Sequence, residues 1–115
     1  IRRYCRLYIL LEYYTSTNDA GYGGLKKVTT HGGGWTYYTY DSYGRTASEL
    51  SSFKNQAFTT DTNLCRLTTL TYAPLSGSGD PGSETNRPRT EVEFLLGKEV
   101  ARRYLVLLSG EERNI

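Results

Sequence analysis

Residues 90–108 read TEVEFLLGKEVARRYLVLL, and their pattern sets the class of fold. On the first half Val92, Phe94 and Leu96 alternate with Glu91, Glu93 and Leu95, the period of two that assigns successive side chains to opposite faces of a strand. Gly97, Lys98 and Glu99 then interrupt the run before VARRYLVLL, so the stretch predicts two successive final strands. Working outward, residues 4–14 show the same alternation. Cys5, Leu7, Ile9, Leu11 and Tyr13 share one face, with Tyr4, Arg6, Tyr8 and Glu12 on the other, and this predicts the first strand. After Gly32–Gly34 break the chain, WTYYTY at 35–40 has the aromatic and Thr content of a second strand, and LCRLTTLTY at 64–72 that of another.

Between these strands the sequence predicts short helices. Thr46 with Glu49 three residues later forms a capping box, and Ala47, Leu50, Phe53 and Ala57 follow at near-helical spacing. Asn18 or Asp19 is placed to start a shorter helix carrying Ala20 and Leu25. Residues 75–90 are rich in Gly, Ser and Pro and read as a surface loop, with too little chain after them for a second domain. No internal repeat is evident. The expected fold is therefore α+β: a β-dominated single domain over residues 1–115, with mixed or antiparallel sheets and one or two short helices.

Composition narrows the chemistry. At 115 residues there is room for one core, and with four Val and three Ile, Leu and Tyr must do most of its packing. The net charge of +2 is too even to imply an obligate nucleic-acid or membrane-surface binder. No stretch nears the ~20 apolar residues that cross a bilayer as a helix. The sequence starts at Ile1 and contains no Met, which fits a processed product or a domain cut from a longer polypeptide. Two distant cysteines and a single His31 supply no zinc-ligand spacing, so no metal is expected. HisGlyGlyGly at 31–34 has the form of a hydrolase oxyanion loop, but the GxSxG nucleophile elbow that would accompany it is missing. Cys5 and Cys65 fall on two alternating segments that can lie side by side, as a disulfide or as two separate buried thiols.

Glu91 and Glu93 are the clearest candidates for chemistry, because their spacing directs two carboxylates to one face of a strand whose other face is apolar. That arrangement serves either a solvated face or an active-site carboxylate with a helper, able to stabilise an oxocarbenium-like transition state. TEVEFLLGKEVARRYLVLL resembles the Glu-x-Glu strand and following strand of ADP-ribosyltransferases. LEYYTSTNDAGYGGLKK, HGGGWTYYTYDSYG and GRTASELSSF followed by LCRLTTLTY are similar, in order, to that family's first strand end, Gly-x-Gly segment with its nicotinamide-stacking tyrosine, and next helix and strand.

The resemblance implies a toxin-like domain, secreted or delivered as an effector, that takes NAD as substrate. It would cleave the nicotinamide glycosidic bond and transfer ADP-ribose to a protein or nucleic-acid acceptor or to water. By the same resemblance Glu93 would stabilise the ribose cation and Glu91 would orient the acceptor. Tyr13 and Thr15 would hold the adenosine-side ribose, and Tyr37 or Tyr38 would stack on nicotinamide. Tyr13 stands where the family has a histidine. A second branch of the family would draw its arginine from Arg3 or Arg6, and its Ser-Thr-Ser-like motif from residues 15–17 or 58–62. Two other classes fit the residues themselves: a non-catalytic Tyr- and Thr-rich β module that binds a carbohydrate or protein, and a small ribonuclease built on Glu, Arg and His31.

Overall fold

Among the described residues every strand hydrogen-bonds to the next one in sequence, so the sheet they form is a meander without a crossover. The computed structural model describes residues 9–73, 87–108 and 111–114. Its strands are β1 (Ile9–Tyr13), β2 (Leu25–Thr30), β3 (Trp35–Tyr40), β4 (Thr46–Ser51), β5 (Arg66–Thr71), β6 (Thr90–Leu95), β7 (Lys98–Leu108) and β8 (Glu111–Asn114), all paired antiparallel. β8 pairs only with the far end of β7, residues 105–108.

All five sequence-predicted strands are present, as β1, β3, β5, β6 and β7. The helices are not. Among the described residues the one helical element is a 3-10 turn, Thr62–Leu64, so the fold is β rather than α+β. Thr46 to Ser51, expected as a capped helix, forms β4, where neighbours on both sides, β3 and β5, give its backbone a full set of partners that an isolated short helix lacks. The segment expected as a shorter helix forms the turn between β1 and β2, and Leu25 opens β2, whose Val28, Thr29 and Thr30 are β-branched. Cys5, its pairing with Cys65 and most of the 75–90 loop lie outside the described residues. Cys65 itself is a buried free thiol, which burial first and the Asp61 charge second push above its ordinary pKa.

The register separates the two faces. Lys27, Tyr37, Leu50, Leu67 and Phe94 lie in one row across β2 to β6, and Trp35 joins Tyr37 on that face. Residues 52–65 fold back over it as a strap. Trp35 Nε1 donates to the Gln56 carbonyl at 3.1 Å, Gln56 Nε2 donates to the Leu64 carbonyl at 3.0 Å, and Phe58 packs edge-on against Trp35 and Tyr37. The cluster so closed is Trp35, Leu50 and Cys65, with Tyr37 and Leu67 against it. The opposite, open face carries the row Tyr38, Glu49, Thr68, Glu93 and Ala101.

The structure also holds a repetition that the sequence reading did not find. Tyr14 N–H donates to the Gly24 carbonyl and Gly23 N–H to the Tyr14 carbonyl. In the β3–β4 hairpin Asp41 N–H donates to the Arg45 carbonyl and Gly44 N–H to the Asp41 carbonyl. The closing glycines adopt nearly the same left-handed φ, 80° at Gly23 and 79° at Gly44, a conformation that favours Gly. A one-residue register shift precedes each turn, at Glu12/Tyr13 and at Thr39/Tyr40. Successive hairpins dock through tyrosine hydroxyls: Tyr40 donates to the Leu25 carbonyl at 2.7 Å and Tyr72 to the Thr46 carbonyl at 2.8 Å. Different loop lengths hide this equivalence from a linear comparison.

Candidate functional site

Glu91 and Glu93 project from β6 onto the open face, as their alternation requires, and each takes an ion pair from Arg103 of β7, at 3.1 and 3.2 Å. One guanidinium thus offsets the repulsion of two neighbouring carboxylates. The three side chains are 34, 42 and 65% exposed, so these pairs are screened by water and worth about 0–1 kcal/mol each. Glu93 also borders a shallow groove of about 240 Å³ with Ser51, Arg66 and Thr68.

The tyrosines expected to share a site with Glu93 are elsewhere. Tyr38 is in the Glu93 row but three strands away, roughly 14 Å at ordinary strand spacing. Tyr37 faces the strap on the other side of the sheet, and its ring edge meets Phe58. Tyr13 ends β1, five strands from β6, and Thr15 is exposed just beyond it. His31 is exposed in the β2–β3 turn. The arrangement therefore brings Glu91 and Glu93 together with Arg103, and leaves Tyr13, Thr15, Tyr37 and Tyr38 apart from them.

A second opening lies on the strap face, where Glu12, Lys26, Lys27, Tyr37, Phe58 and Thr60 line a cleft of about 250 Å³. Lys27 spans its floor, 3.3 Å from the Glu12 carboxylate and 4.3 Å above the Phe58 ring. Beside this cleft runs β1, the end strand of the sheet, with Ile9, Leu10, Leu11 and Tyr13 at 65, 54, 46 and 50% exposure. The sequence reading missed both features. The signal for the second was Leu10, an apolar residue at a polar position of the alternation, which makes three apolar residues in succession at 9–11.

The chain matches no protein-family model, no curated protein and no solved structure. Among the described residues no cluster of His, Cys, Asp and Glu can hold a metal ion, and no helix is long and apolar enough to cross a membrane.

What the geometry can do chemically follows from these placements. Glu91 and Glu93 on the open face share one guanidinium and are wet, whereas the outer edge of β1 meets no other strand among the described residues and is flanked by exposed apolar side chains. The other end of the sheet differs. The part of β7 that β8 does not cover has the sequence KEVARRY, in which Lys98, Glu99, Arg102 and Arg103 are charged, and charge of this kind guards an edge against pairing. Arg102 is further held by Glu99 at 2.7 Å, and that hydrogen bond keeps the Glu99 carboxyl below its ordinary pKa. On β1 the one charge, Glu12, is occupied by Lys27.

Proposed function

We propose that this chain is a non-catalytic protein-binding β module that takes an extended segment of a partner by strand addition at β1. The observation that carries the proposal is the edge left open among the described residues: β1 ends the sheet, and its Ile9, Leu10, Leu11 and Tyr13 are all about half exposed or more. In recognition of this kind the backbone ladder supplies affinity, and pockets beside alternate side chains supply specificity. Register places Leu10 and Glu12 on the strap face, so every second side chain of an added strand would pass beside the Lys27, Tyr37 and Phe58 cleft. That cleft has the size for one side chain, an apolar ring at its wall and opposite charges at its rim.

Amide hydrogen exchange along β1 tests the proposal. A panel of decapeptides with alternating apolar residues should contain members that bind saturably and slow exchange at residues 9–13. If no peptide changes exchange there, strand addition is overturned. The transferase reading implied by the Glu-x-Glu resemblance needs Tyr13, one of Tyr37 and Tyr38, and Glu93 around one ligand, and the binding module asks for no such gathering. Incubation with NAD discriminates the two. Nicotinamide release that is lost in Glu93→Gln would replace the binding reading with the transferase.

A further inference from the structure

We infer that the strand added at β1 is β1 of a second copy of this chain, in a two-fold dimer with Leu11 on the axis. The inference rests on the edge-binding reading and names its partner. Antiparallel pairing of ILLEY with itself about Leu11 sets Ile9 opposite the partner's Tyr13, Leu11 opposite the partner's Leu11, and Leu10 opposite the partner's Glu12. The first two pairs lie on the open face and are wholly apolar, joining six side chains that are 46–65% exposed in the single chain. The remaining charge, Glu12, keeps its Lys27 partner and meets Leu10 rather than another carboxylate. The strand is thus self-complementary, as an isologous contact requires.

The other ways of joining two copies fit less well. β1 and β7 run in the same direction in the meander, so a head-to-tail union through them that keeps the two open faces on one side would be parallel, and in either orientation it would set ILLEY against the charged KEVARRY. A union through β8 would set it against Glu111-Glu112-Arg113-Asn114 and would leave an open filament rather than a closed pair. A five-residue edge buries much less than the ~1,600 Å² of a standard interface, so the dimer is weak and concentration-dependent.

Sedimentation equilibrium of the whole chain over a hundredfold concentration range should show a monomer–dimer equilibrium, with exchange at residues 9–13 slowing as dimer accumulates. Leu11→Lys places two like charges face to face at the axis and should weaken the dimer at least tenfold, while Trp35 fluorescence reports that the fold is kept. The axis gives a sharper test by disulfide trapping in a Cys5→Ser background, since directly opposed strand residues lie within disulfide range. Leu11→Cys should link two copies on oxidation. Ile9→Cys alone should not, and Ile9→Cys with Tyr13→Cys should. A monomer at every concentration, or a dimer that Leu11→Cys fails to link, overturns the second copy as partner. If that monomer still binds peptides with protection of β1, the edge-binding reading survives, and if it binds none, both fall.

Discussion

Leu96 sits in the left-handed region at φ 52°, a conformation that costs a non-Gly residue roughly 1–2 kcal/mol, because Leu96 and Gly97 form the two-residue turn between β6 and β7. Gly97 (φ 84°) fits such a turn, and a Cβ there would also collide with the Asn63 side chain. Leu96 is 44% exposed and has little packing to lose, so Leu96→Asn should raise stability by about 1 kcal/mol in urea denaturation. Tyr72 is the opposite case, a residue whose polar atom is fully used. Burial first, and then the Asp41 charge, raise its hydroxyl above the ordinary tyrosine pKa, against a smaller opposing effect of Arg45. Only the neutral phenol can donate to the Thr46 carbonyl. The folded state thus holds the proton more tightly than the unfolded one, so this stabilisation is complete below the unfolded pKa of about 10 and is lost as pH rises above it. Tyr72→Phe keeps the ring under Arg45, 4.3 Å away, and should cost about 1 kcal/mol at neutral pH while flattening the alkaline decline in a denaturation series. Of these residue-scale features, the sequence showed the direction of Glu93 by simple alternation. It could not show the Tyr72 bond, which depends on a register across two strands.

At the scale of elements, β4 explains what was legible and what was not. Thr46 and Glu49 match a capping box, yet the same six residues alternate as a strand, and the choice is made by β3 and β5, which lie outside any local window. The helix was expected to bury Leu50 and Phe53; Leu50 is 4% exposed, although on a strand, because a single strong apolar residue suits either periodicity, whereas Phe53 lies beyond β4 and is only partly buried. The strap at 52–65 was not legible, since Phe53 and Ala57 were read as the continuation of the helix begun at Thr46. Its role depends on Phe58, which leaves 42% of its surface exposed while its ring covers both Trp35 and Tyr37. Phe58→Ala should cost about 2 kcal/mol, below the usual range for a buried Phe because of that exposure. It should also shift Trp35 emission to longer wavelength, since the indole would lose its cover. A stability loss without the spectral shift would mean that the strap closes over Trp35 by its backbone bonds alone.

Over the whole molecule, strands contact chiefly their neighbours in the chain, so stability is built hairpin by hairpin, as in a repeat array. The sequence reading captured the β-dominated class but not this linearity, because equal hairpin closures at Tyr14 and Asp41 are joined by loops of unequal length. Such a sheet need not open all at once. Among the described residues a buried cluster lies under the strap, where Trp35 on β3, Leu50 on β4 and Cys65 just before β5 are buried together. β1 contributes no buried side chain among the described residues, and β2 none either. Native-state hydrogen exchange should therefore show a gradient: amides of β3, β4 and β5 exchange only through global unfolding, while those of β1 exchange through local opening of the first hairpin, faster and with little dependence on denaturant. Leu50→Ala should lower protection throughout β3–β5 by about 2–4 kcal/mol and leave β1 close to its original rate, since β1 does not wait for that core to open. Uniform protection across β1 to β5 in dilute protein would instead mean that Tyr14 O–H to the Tyr38 carbonyl, at 2.6 Å, and Tyr40 O–H to the Leu25 carbonyl tie the first hairpin to the core as firmly as apolar packing does.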